Sequence, residues 1–161
     1  MFIHWDLGSM GYGLSAVIGT CIASGRTIIF EGDRSLQHNL QELQLLKIYK
    51  LPIKLFIYNN EGYFSIYGMQ NNHFNGRLAG CMKDSGLVLP KLKNIAYLYG
   101  VSYIKISGAD VMKEEIHQAL SDNSPMICET IGDIRYEEIL RIQTKVNPDG
   151  TLTLDALQDL Y

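Results

Sequence analysis

Apolar and polar positions alternate along the chain in blocks rather than residue by residue. A helix is predicted near Gly13–Ser24, then a strand at Thr27–Glu31. A helix follows over Leu36–Tyr49 and a strand over Ile53–Asn59. Pro90–Tyr99 reads as a helix with proline in its first turn. Ser102–Ile106 reads as a strand, Asp110 as the cap of a helix running to about Leu120, and Pro125–Thr130 as a strand. The strands are short, apolar and non-alternating, which predicts burial on both faces. Helix-strand alternation of this kind predicts an α/β fold: three layers, α/β/α, around a central, mainly parallel sheet.

Two segments break the pattern. Residues 61–89 are rich in Gly, Asn and polar residues without clear periodicity, and read as a functional loop region. The tail after Asp133 is weakly patterned, with a turn at Pro148-Asp149-Gly150. No internal repeat or low-complexity tract is present in the sequence. The expected organisation is one domain over residues 1–161, with a C-terminal tail from about 133.

Composition narrows the partners. A net charge of -3 argues against nucleic acid, where a basic face is expected. Leu7–Gly25 carries no charge for 19 positions, long enough to span a bilayer. Its five glycines and three serines fit a buried helix at an interface better, and no membrane span is expected. Cys21, Cys81 and Cys128 form no CxxC pair, so buried thiols in a reducing cytoplasm are expected.

The candidate chemistry lies at strand ends. In a parallel sheet, ligands bind at the carboxyl ends of strands beside helix N-termini. The first predicted strand runs into Glu31-Gly32-Asp33-Arg34-Ser35 and the second into Asn59-Asn60-Glu61-Gly62. Adjacent parallel strands bring Asp33 and Asn60 to the same edge. Both offer oxygen ligands, as magnesium requires, and magnesium usually keeps substrate phosphate among its ligands. The Gly62 carbonyl is a candidate third ligand. Backbone N–H groups of Arg34 and Ser35, at a helix start, suit an anion, and the Ser35 hydroxyl can add a hydrogen bond.

These residues carry a resemblance. Gly32-Asp33, followed by Asn59-Asn60 with 27 positions from Asp33 to Asn60, resembles the GDG…NN signature of thiamine diphosphate enzymes. LGSMGYGLSAVIGT at Leu7–Thr20 and NLQELQLLKIYKLPIKLFIYNNEGY at Asn39–Tyr63 are similar to acetolactate synthase-like enzymes, as is the tail NPDGTLTLDALQDLY. The resemblance implies the thiamine diphosphate-binding fold, with thiamine diphosphate and Mg as cofactors. Asp33, Asn60 and the Gly62 carbonyl are then the metal ligands. The Gly8 carbonyl accepts from the cofactor's 4'-amino group. Met10 lies under the bent cofactor with its N–H facing the pyrimidine, and Ser9 belongs to the cofactor-binding set. Gly32, Arg34, Ser35, Tyr63 and Phe64 complete the cofactor-binding set, and no catalytic residue is assigned.

In such enzymes the cofactor lies between this domain and a pyrimidine-binding domain, usually of another subunit, which supplies an activating glutamate. The implied reaction is decarboxylation of a small-molecule 2-keto acid substrate and transfer of the remainder to an acceptor. The pyrimidine-binding domain is expected to be absent from this chain, so activity of the chain alone is not expected, and a homo-oligomer, a dimer, is. Glu42, Glu61 and Glu129 match no role and are expected to be solvated or capping. One departure stands out: Arg34 replaces the family's usual small residue. It costs stability or blocks binding if the position needs positive φ or lies tight against the diphosphate; otherwise it pairs with phosphate or turns to solvent. Other readings are a non-catalytic scaffold that has lost cofactor binding and a flavodoxin-like phosphate-binding domain. A His38–Asp33–His4 metal site has no recognisable zinc spacing. Tyr63, Phe64, Tyr67, Met69 and Gln70 are candidate cover for the cofactor.

Overall fold

A computed structural model of the chain describes residues 8–106, 108, 110–135 and 144–154. The helices are α1 (Tyr12–Ser24), α2 (Asp33–Leu36), α3 (Leu43–Ile48), α4 (Phe64–His73), α5 (Leu92–Tyr99) and α6 (Met112–Leu120). The strands are β1 (Thr27–Gly32), β2 (Ile53–Asn59), β3 (Ser102–Ile106), β4 (Met126–Ile131), β5 (Thr144–Val146) and β6 (Leu152–Leu154). Two compact units emerge, one of residues 1–60 and 89–132, the other of residues 61–88 and 133–161.

The first unit holds a four-stranded sheet in the order β1-β2-β4-β3. All three pairings are parallel, as the block alternation predicts. β2 is central, and its first five residues, Ile53–Ile57, are all buried. Ile53, Leu55, Ile57 and Ile127 share a face with Leu14, Val17 and Ile18 of α1, Leu43 and Leu46 of α3, and Leu92, Ile95 and Ala96 of α5. Phe56, Ile106 and Cys128 face the other way, against Ala119 of α6. Each fully buried aliphatic side chain stabilises the fold by about 1.5–3 kcal/mol.

Several local expectations shift. β1 is an edge strand that alternates in burial rather than being covered on both faces. Ile28 and Phe30 are exposed, Phe30 at 80%. The predicted helix at Leu36–Tyr49 is broken into α2, a 3-10 stretch over Gln37–Glu42 and α3, with Asn39 non-helical at φ -139. α6 starts from Val111, not Asp110, and α5 follows Lys91, with Pro90 just before it. α5 ends in Gly100 at φ +64, a left-handed stop that suits glycine. The Gly100 N–H donates to Tyr97 and the Val101 N–H to Ala96, which returns Val101 to the core.

Lys54 is fully buried, and its Nζ donates to Asp122 Oδ1 at 2.8 Å. The Asp122 carboxyl is held well below the ordinary carboxylate value, first by this bond and then by the Ser124 hydroxyl and amide. A depressed folded value gives stability that is complete above the ordinary carboxylate pKa and lost as pH falls through the folded one. Stability is therefore expected to drop below about pH 4. Asp122→Asn should be less stable at neutral pH and flatter in acid, as urea midpoints across this range would show. The pH-dependent part is modest, because the Asp122 side chain is largely exposed.

The three cysteines are free and buried, as expected. Burial pushes the Cys128 thiol up to about 11, with Lys54 opposing. Among the described residues, no helix is long and apolar enough to cross a membrane. Leu7, the start of the uncharged segment, lies outside them.

In the second unit, Phe64–His73 is a helix where the sequence reads as a loop. No residue of α4 is buried, so no apolar stripe marks it. Gln70 clamps Ala79 through both amide atoms, donating at 3.1 Å and accepting at 2.8 Å. β5 and β6 pair antiparallel around the predicted Pro148–Gly150 turn. The remainder of the tail lies outside the described residues.

Candidate functional site

The parallel register fixes what meets at the sheet's carboxyl edge. Gly32 of β1 is level with Tyr58 of β2. The next residues are Asp33 on one strand and Asn59 on the other, with Asn60 one step beyond. Gly32 is extended at φ -82, and α2 begins at Asp33. Neither Gly32 nor Arg34 therefore needs positive φ, and Arg34 does not strain the turn. A Cβ built on Gly32 would meet nothing within 4 Å.

Asp33 and Arg34 are both buried, at 5% and 6% exposure. Arg34 Nε lies 3.2 Å from Asp33 Oδ2, without hydrogen-bond alignment. Among the described residues, Nε has no hydrogen-bond acceptor. The helix-dipole expectation is weakened, because α2 is a single turn. What remains for an anion is the individual N–H groups of Arg34 and Ser35.

The segment Gly8-Ser9-Met10 is attached to this turn by Gly11. The Gly11 N–H donates to Ser35 Oγ at 2.9 Å, and Asn39 Nδ2 donates to the Gly11 carbonyl at 2.6 Å. The Ser35 hydroxyl oxygen thus already accepts one bond, leaving its proton to donate. Gly11 has φ +83, and a Cβ there would sit 2.7 Å from His38 Cβ and 3.0 Å from Asn39 Nδ2. Only glycine allows this approach. Gly8 also has positive φ, and Met10 is exposed.

Gly62, Tyr63 and Phe64 belong to the second unit. Gly62 forms a bridge with Met82, and the Tyr63 N–H donates to Cys81 O at 2.8 Å. A Cβ on Gly62 would meet Ile134 Cδ1 at 2.2 Å and Cys81 O at 2.6 Å. Tyr63 is the N-cap of α4, and Phe64 opens that helix. His4 lies outside the described residues, among which no cluster of three His, Cys, Asp or Glu suited to a metal occurs.

Comparison with known proteins decides the lineage. Residues 1–130 match the family described as thiamine pyrophosphate enzyme, C-terminal TPP binding domain. The chain belongs to this family. It is 35% identical over 127 residues to the acetolactate synthase large subunit of Cyanidium caldarium, covering 78% of this chain and 21% of that one. Against the acetolactate synthase large subunit of Haemophilus influenzae it is 27% identical over 162 residues, covering 97% of this chain and 28% of the relative. The thiamine diphosphate-dependent 4-hydroxybenzoylformate decarboxylase of Rhodococcus jostii RHA1 superposes with a TM-score of 0.68 at 25% identity, over 77% of this chain and 23% of that one. The chain thus spans about a quarter or less of most of these relatives. The family and its α/β fold agree with the sequence expectation, and so does thiamine diphosphate as the family's cofactor.

The residues of this thiamine diphosphate domain fit the cofactor's acidic end. Asp33 and Asn60 offer hard oxygen donors, the ligand type magnesium takes. The unaligned Nε of buried Arg34 suits an anion.

Sequence reasoning missed one feature beside them. Glu129, expected to be solvated or capping, is 8% exposed. Its Oε1 accepts from Asn59 Nδ2 and its Oε2 from the Tyr103 hydroxyl. Burial, and then the bond to Glu129, pushes the Tyr103 phenol up, so it stays a donor. The Asn59 carbonyl also accepts from the Gly132 N–H at 2.8 Å. Asn59, immediately before Asn60, is therefore held to β4 by both backbone and side chain. The only signal in the sequence was a carboxylate inside an apolar strand, Met126–Ile131.

Proposed function

We propose that the chain is the diphosphate- and magnesium-binding domain of a thiamine diphosphate-dependent 2-keto acid decarboxylase or carboligase resembling acetolactate synthase. The observation that carries this reading is the convergence of Asp33 and Asn60 at one sheet edge, with Gly8–Gly11 bonded to the same turn. In this reading the Asp33 carboxylate, the Asn60 side-chain oxygen and the Gly62 carbonyl hold magnesium. The N–H groups of Arg34 and Ser35 and the Ser35 hydroxyl hold the diphosphate, beside Gly32. Gly8, Ser9 and Met10 orient the pyrimidine, and Tyr63 and Phe64 belong to the proposed cofactor-binding set. When bound, the cofactor would supply a nucleophilic carbon for addition to the carbonyl of a 2-keto acid, whose carboxylate would leave as carbon dioxide.

Residues 1–161 act as one functional domain, and turnover requires a pyrimidine-binding domain or subunit with its activating glutamate. The exposed apolar face of β1, with Ile28 and Phe30, supports covering by further protein. A cytoplasmic dimer completes the reading. The specific observation favouring the scaffold alternative is Arg34 beside Asp33. Calorimetry separates the two. Saturable binding that requires thiamine diphosphate and magnesium together is expected; no binding by the wild type with both present would leave the scaffold.

A further inference from the structure

Arg34 is the unusual residue of the site, and its surroundings give it a task. It is buried, carries a charge and sits with Nε 3.2 Å from the one carboxylate assigned to the metal. Yet that contact is not aligned as a hydrogen bond, and Nε has no acceptor among the described residues. A buried guanidinium nitrogen without an aligned acceptor is costly, because a lost hydrogen bond on a charged group is among the larger penalties in folding. A planar donor fork of this kind suits the oxygens of a diphosphate, which it can hold bidentately. The backbone places no obstacle, since Arg34 is helical and open space surrounds Gly32.

We propose that Arg34 is the counter-ion of the cofactor site in both its states. Without ligand its guanidinium neutralises Asp33. When a divalent cation takes Asp33, the guanidinium is released to the diphosphate. The same arginine then opposes cation binding when cation is alone and favours it when diphosphate is present. Cation and diphosphate bind as one coupled unit, and reciprocity requires each to strengthen the other by the same factor. No covalent step is involved. The proposal rests on the diphosphate-site reading above.

The test is a Mn2+ titration followed by electron paramagnetic resonance, with and without thiamine diphosphate, on wild type, Arg34→Gln and Asp33→Asn. Arg34→Gln should bind Mn2+ alone at least about fivefold more tightly than wild type, the low end of ordinary coupling. Its gain on adding thiamine diphosphate should be smaller by a similar factor. Equal Mn2+ affinity alone and equal gain in the two proteins would overturn the proposal while leaving the site reading intact. Absence of Mn2+ binding by wild type with thiamine diphosphate present would overturn both. A readout on wild type alone guards against a poorly folded variant: the Arg34 Nε–Hε resonance should shift on adding magnesium with thiamine diphosphate. If it stays in place while the Asn60 side-chain amide moves, Arg34 does not take the diphosphate.

Discussion

Asp33→Asn should lower the affinity for magnesium with thiamine diphosphate by on the order of 100-fold or more, since loss of an outer-shell partner alone costs 10–100-fold. The substitution keeps the size and one oxygen donor but removes the one negative charge the protein is proposed to give the metal. A neutral amide is a poor substitute for a carboxylate on a hard divalent cation. The same change has a second, separable effect. Arg34 would remain buried without its nearby anion, and breaking a buried pair from one side costs about 3–5 kcal/mol. The missing alignment between the two groups puts the expectation at the low end. Asp33→Asn with Arg34→Gln should recover most of that stability and none of the metal affinity. Calorimetric titration and urea unfolding measure the two quantities. Near wild-type binding by Asp33→Asn would remove Asp33 from the metal site.

Why the edge position of Asp33 was legible in the sequence, and other features were not, follows from how each is held. β2 is buried over five successive residues, four of them apolar, so its run was unmistakable. Once two parallel strands are identified and paired, their ends meet, and Gly32-Asp33 and Asn59-Asn60 fall together without side-chain detail. α4 was hidden because it buries nothing and therefore carries no periodic apolar face. The break at Asn39 was hidden because it depends on a bond from its side chain to the Gly11 carbonyl, 28 residues away. The exposed face of β1 was hidden because Ile and Phe look the same in a sequence whether covered or not. Glu129 was the largest omission. Its partners lie 26 and 70 residues distant, and nothing local distinguishes a carboxylate with two donors from one in water.

That carboxylate yields the second large effect. Glu129→Gln is expected to cost about 1.5–3 kcal/mol, the range for hydrogen bonds to charged groups. A glutamine at this site has one acceptor oxygen and one NH2 group. It can accept from Tyr103 or from Asn59, not both, and the other pairing holds only if the Tyr103 hydroxyl or the Asn59 amide turns to accept from its NH2. Because Glu129 is buried, water does not relieve the mismatch. The consequence reaches the edge where Asn60 sits. Asn59 would keep its backbone bond to the Gly132 N–H, but its side-chain bond to residue 129 would lose the charged acceptor that holds it. Magnesium and thiamine diphosphate affinity should therefore fall by about tenfold, the lower end for a residue acting through a ligand's support. Tyr103→Phe removes one donor and leaves Glu129 holding Asn59, so it should lose stability but little affinity. The contrast between the two variants identifies positioning as distinct from general loosening. An equal loss of affinity in both, or a stability change in Glu129→Gln within about 0.5 kcal/mol of wild type, would show that the Tyr103–Glu129–Asn59 chain does not hold the edge.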